Sequence, residues 1–129
     1  MAKGKIIALK IAPYSYPQVV EMQVTKQALL SALNEGADVE GEIEMQKLEH
    51  HVYAVYNSLR CMTGLDGNRR LGKDIIAGTF YIIASDNQDR PCSMSEEKIK
   101  KYAFRFWDVE VFDDMELIDA NLNVMFDTY

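Results

Sequence analysis

The chain has 129 residues, 48% of them hydrophobic and 26% charged, with a net charge of −6. That length suits one domain with its own core, and the composition excludes a disordered chain or a disulfide-stapled miniature. The acidic balance makes direct nucleic-acid binding unfavourable unless basic groups gather on one face.

Behind the basic residues 1–5, the apolar run 6–9 is too short for a signal-peptide core or a membrane span. A cytoplasmic protein with no membrane partner is expected. Lys5–Ile11 reads as a first strand, apolar and β-branched. Pro13 and Pro17 bracket a loop that cannot continue it. Residues 18–24 alternate, with Val20, Met22 and Val24 on one face and Glu21 and Gln23 on the other, as in a half-buried strand. Thr25 suits an N-cap, and Ala28, Leu29, Ala32 and Leu33 then share a helical face that Gly36 ends.

Residues 39–48 alternate again, with Val39, Gly41, Ile43 and Met45 on one face and Glu40, Glu42 and Glu44 on the other. Residues 51–59 read as an aromatic and β-branched strand. The nearly unbroken apolar run 75–84 fits a central strand covered on both faces. After a turn over 85–91, Ser93 and Glu96 stand in capping-box register. They open a second helix whose buried stripe is Ile99, Tyr102, Ala103 and Phe106. Beyond Arg105 there is no Lys or Arg, yet the segment is rich in apolar residues. Trp107, Val109 and Val111 alternate like an edge strand, and Asp114 can cap a last short helix through Met115 and Ile118. Residues 107–129 are expected to pack on the domain or on a second copy of it. The fold class expected is α+β, a mostly antiparallel sheet of about five strands with two to three helices in a single domain.

Residues 64–80 concentrate the chemistry. They hold glycines, an asparagine, two arginines and a lysine, and Arg60 stands just before them. Glycines let a backbone approach a ligand, and arginines grip phosphates or carboxylates in pairs of hydrogen bonds. The expected ligand-binding set is Arg60, Gly67, Asn68, Arg69, Arg70, Gly72, Lys73 and Thr79. Arg69 and Arg70 would hold phosphates, Gly67 and Gly72 would let the backbone close in, and Asn68 would read a polar edge. Asp66-Gly67 is equally a plain turn signal, and loop arginines are commonly solvated. The segment is not a P-loop, because Asp74 stands where Ser or Thr must be.

This segment also carries a resemblance. Asn57, Asn68-Arg69, the block Asp74-Ile75-Ile76-Ala77-Gly78-Thr79-Phe80, and Ser95-Glu96-Glu97 with Ile99, Lys101-Tyr102 and Phe106 resemble a small bacterial and phage family. It is number three-eight-four-six in the domain-of-unknown-function series. The resemblance spans residues 5–106 and leaves 107–129 as an addition to the usual family length. It implies no activity, but it implies a setting of phages, plasmids and their bacterial hosts, where small proteins often counter host defence.

Other candidates are weaker. His50-His51 is the only histidine pair, and neighbours on a strand point to opposite faces, so no metal site is expected. The two cysteines, Cys61 and Cys92, form no CxxC pair and read as free thiols. Cys61 follows Arg60 but has no base beside it. Tyr14, Tyr16, Tyr53, Tyr56, Tyr81 and Trp107 could stack on a base, although core or interface roles are commoner. No catalytic set and no cofactor is expected. The first functional expectation is a homo-oligomeric protein that binds a nucleotide-like small molecule, in the setting that the resemblance implies. The second is an acidic inhibitor that blocks a host defence nuclease or another nucleic-acid-binding protein, using Glu40, Glu42, Glu44 and the acidic tail. The third is a small hydrolase of a phosphorylated compound.

Overall fold

A computed structural model of the chain describes residues 4–33, 43–57, 67–72, 74–112 and 115–116. Among the described residues the fold is α+β, with a mostly antiparallel sheet and two full helices in one domain. The strands are β1 (Lys5–Ile11), β2 (Gln18–Gln23), β3 (Ile43–Glu49), β4 (Val52–Asn57), β5 (Gly67–Leu71), β6 (Asp74–Ala77), β7 (Phe80–Ser85) and β8 (Pro91–Cys92). The helices are α1 (Lys26–Leu33) and α2 (Glu96–Arg105). The main sheet runs β2-β1-β7-β4-β3, with β8 beside β7, and β5 and β6 form a separate two-stranded sheet.

Strand alternation divides the core between the two faces of the main sheet. On one face Ile6, Ala8, Met22, Val55, Tyr81 and Ile83 pack against Leu29 and Leu33 of α1. On the other, Leu9, Ile11, Val52, Ala54, Tyr56, Phe80 and Ile82 pack against Tyr102 and Phe106 of α2 and against Leu71 and Ile76 of the small sheet. Phe80 meets Phe106 edge to face, with ring centroids 5.4 Å apart. β7 is central, and its first four residues, Phe80, Tyr81, Ile82 and Ile83, are buried on the two faces, which explains why that stretch is apolar.

Several boundaries differ from the sequence reading. The apolar run 75–84 is two strands rather than one. Gly78, at φ +75°, breaks it and moves the chain from the small sheet to the main one. The arginine segment is itself a strand, β5, closed onto β6 by a turn at Gly72, where φ is +63°. His51 is not on a strand. It sits with His50 in the tight turn between β3 and β4 at φ +65°, a conformation uncommon outside glycine but one that histidine enters more readily than most residues. The helix cap is Ser95, whose Oγ accepts from the Lys98 N–H at 3.2 Å. Ser93 instead accepts from the Ile7 N–H at 2.8 Å, and the Met94 N–H donates to the Ile7 carbonyl. β7 pairs with β1 only from Leu9 to Ile11, so the lead into α2 satisfies the next stretch of β1. Residues 107–112 form no strand, because no backbone ladder reaches them. Val39, Glu40, Gly41, Glu42, Asp114 and Ile118 lie outside the described residues.

Glu49 fastens the β3–β4 turn to α2. Its carboxylate accepts from Lys98 Nζ at 2.7 Å, Lys101 Nζ at 2.8 Å and the Tyr102 hydroxyl. These donors hold its pKa down at about 2, Lys101 contributing most. Burial and the same carboxylate push the Tyr102 hydroxyl up to about 12. A lowered carboxyl pKa stabilises the fold above the ordinary value of 4.5, and that contribution is lost as pH falls toward 2. Glu49→Gln is therefore expected to flatten the stability slope between those two pH values, read from urea midpoints across the window. An identical slope in the variant would remove Glu49 from acid denaturation.

Candidate functional site: an aromatic pair set by a buried arginine

The two consecutive arginines of β5 have opposite fates, because neighbours on a strand face opposite ways. Arg69 is 1% exposed. Its Nε donates to the Phe106 carbonyl at 3.1 Å, Nη1 to the Asn68 Oδ1 at 2.8 Å and, more weakly, to the Asn68 carbonyl, and Nη2 to the Ser15 carbonyl at 2.7 Å. Asn68 is fully buried, and its Nδ2 donates to the carbonyls of Ile11 at 2.8 Å and Gly78 at 3.0 Å. The Asn-Arg pair is thus a clasp. It joins the end of β1, the following loop, the β6–β7 turn and the C-terminus of α2. A planar guanidinium suits this place, since it reaches several carbonyls at once and helix C-termini favour a cation. Burial pulls the Arg69 pKa down, and the negative charges of Glu110 and Asp108 oppose that shift.

Arg70 points out and is held by the segment after α2. Its main-chain N–H donates to Glu110 Oε2 at 2.8 Å. Its guanidinium lies 5.4 Å from the Phe112 ring centroid and 3.8 Å from Glu116. The acidic segment therefore folds back over β5.

The clasp has a consequence at the surface. One guanidinium grips the carbonyls of Ser15 and Phe106, which lie far apart in the chain. The next residue on each side, Tyr16 and Trp107, then meet in a stack with centroids 4.6 Å apart and planes 19° apart. Both stay exposed, Tyr16 at 58% and Trp107 at 51%. Tyr14 and Phe104 flank them in the chain and are also exposed. Asp108, next to Trp107, is exposed and has no hydrogen-bond or ion-pair partner among the described residues. Pro17 after Tyr16, and the end of α2 before Trp107, fix the backbone that carries both rings.

The eight expected ligand-binding residues do not converge in an open loop. Asn68 and Arg69 are interior, with their donors turned to carbonyls. Gly67 is buried opposite Ala77, Thr79 is buried before β7, and Gly72 forms the turn. Arg70 is the described member whose charged side chain is exposed, and Gly72 is exposed beside it at the turn. Arg60 and Lys73 lie outside the described residues, as does Cys61. Of the aromatic candidates, Tyr56 and Tyr81 are core residues, whereas Tyr14, Tyr16 and Trp107 face solvent.

Other features are separate from this surface. His50 and His51 have ring centroids 3.8 Å apart, and His51 Nδ1 lies 3.1 Å from Ser85 Oγ. Among the described residues no three His, Cys, Asp or Glu side chains are grouped to hold a metal. Burial raises the pKa of the Cys92 thiol, which disfavours the reactive thiolate. An apolar hollow of about 240 Å³, lined by Tyr53, Ile83, Met45, Asp89 and Pro91, holds one of the aromatic candidates, Tyr53, but none of the eight expected ligand-binding residues. Among the described residues no helix is long and apolar enough to cross a membrane.

No curated protein and no solved structure matches the chain. The clasp, the strand pair that carries it and the helix it anchors all fall within residues 5–106, which match the model of DUF3846, a domain of unknown function, and the chain belongs to that family.

Proposed function

We propose that this protein is a binding module, not an enzyme, and that it captures a basic, arginine-bearing segment of another protein. The observation that carries this reading is the exposed Tyr16–Trp107 stack beside Asp108. Exposed aromatic faces attract cations through their ring quadrupoles, and a guanidinium stacks on them with little desolvation cost. An adjacent carboxylate strengthens a cationic contact and repels a phosphate. The described stretch that follows the stack, residues 108–112, carries Asp108 and Glu110 and no Lys or Arg, which favours the same sign of partner.

This reading develops the acidic-inhibitor expectation rather than the nucleotide one. A basic groove that normally holds nucleic acid presents the arginines such a surface would take. It differs from that expectation in its anchor, because the energy comes from two aromatic rings rather than from a row of strand carboxylates. Glu40 and Glu42 lie outside the described residues, and Glu44 is exposed on β3.

Trp107 is the only tryptophan, so its emission reports directly on the surface. Titration with an arginine-rich peptide is expected to change that emission, with an affinity that falls as salt rises. A nucleoside triphosphate is expected to leave it unchanged. A response to the triphosphate and none to the peptide would replace this reading with the nucleotide-binding one.

A further inference from the structure

Strand β2 is one edge of the main sheet, and the direction of its main-chain groups follows from contacts on β1. Ile7 turns both its N–H and its carbonyl away from β2, to Ser93 and Met94. In an antiparallel ladder these directions alternate along the strand. Ile6, Ala8 and Lys10 therefore face β2, and their partners Met22, Val20 and Gln18 face back. Val19, Glu21 and Gln23 turn their N–H and carbonyl groups outward, with no partner among the described residues.

The two edges of the sheet differ. β3 carries a bulge between Lys47 and Glu49 and several charged side chains, the usual means of blocking edge pairing. β2 has no bulge, no Lys, Arg or Pro, a single charge at Glu21, and Val19 57% exposed. Nothing on β2 opposes addition of another strand.

We propose that β2 pairs antiparallel with β2 of a second copy of this chain across a two-fold axis, joining the two sheets into one. Such an axis must place a residue opposite its own copy, and only registers centred on Val20 or Glu21 keep most of the strand paired. Centring on Glu21 sets two carboxylates face to face, which is unfavourable. Centring on Val20 sets two valines together at a close, non-hydrogen-bonded position. Val19 then exchanges both main-chain hydrogen bonds with Glu21 of the partner subunit, using the groups that β2 turns outward. The pairing is independent of the arginine-capture reading.

The test combines solution mass with a covalent trap. Sedimentation of the full chain at about 100 µM is expected to give twice the chain mass, since association depends on protomer concentration. Cβ atoms across a close strand pair lie about 4.5–5.5 Å apart, near enough for a disulfide after small adjustment. Val20→Cys is therefore expected to form a covalent dimer on mild oxidation, whereas the wild type, with Cys61 and Cys92, and Val19→Cys are not. A single-chain mass overturns the proposal. So does a doubled mass with no Val20→Cys cross-link, which assigns the contact to another face.

Discussion

Arg69→Ala is expected to lower the unfolding free energy by about 4 kcal/mol, a large share of what a domain this size has. The guanidinium is interior and donates to the carbonyls of Phe106, Ser15 and Asn68 and to the Asn68 side chain. Removing it leaves buried acceptors without donors, at about 1–3 kcal/mol each where water cannot reach them. It also opens a cavity among packed side chains. Arg69→Lys keeps the charge but not the fork, and is expected to cost about 2 kcal/mol, because one ammonium cannot span the same carbonyls. Chemical denaturation midpoints measure both. A variant as stable as the wild type would return Arg69 to the ligand-gripping role that the sequence suggests.

Trp107→Ala is expected to weaken capture of an arginine-rich peptide by about thirtyfold, the scale of an aromatic hot spot, while changing stability by less than about 1 kcal/mol. The indole is half exposed and lies beyond the end of α2, so the core does not depend on it. Tyr16→Ala is expected to act in the same direction. The double variant should lose less than the sum, because the two rings form one surface. Calorimetry must read these affinities, since the substitution removes the only tryptophan. Asp108→Asn should reduce the salt dependence more than it reduces the affinity at high salt. Unchanged binding in Trp107→Ala would move the contact away from the aromatic pair.

The Asn68-Arg69 pair stood out in the sequence because charged and amide side chains among glycines are uncommon in a chain that is otherwise apolar or acidic there. Its direction did not stand out. A strand and a glycine-rich loop share much of their composition, and the side chain facing inward depends on which strand pairs with β5. Tyr14, Tyr16 and Trp107 were recognisable as stacking candidates, but nothing local separates them from Tyr56 and Tyr81, which are buried. Ser93 stands in capping-box register with Glu96, but its hydroxyl accepts from the Ile7 N–H of β1, and Ser95 caps the helix instead.

By itself the amino-acid sequence determined the α+β class, the positions of β1, β2, α1 and α2, and the buried stripe of Tyr102 and Phe106. Those features depend on period and capping, which act over a few residues. The tertiary structure alone decided that Arg69 turns inward, that the apolar run divides at Gly78, and that Tyr16 meets Trp107. Each of these depends on contacts between segments distant in the chain, and a buried guanidinium is stable only where those segments bring their carbonyls to it.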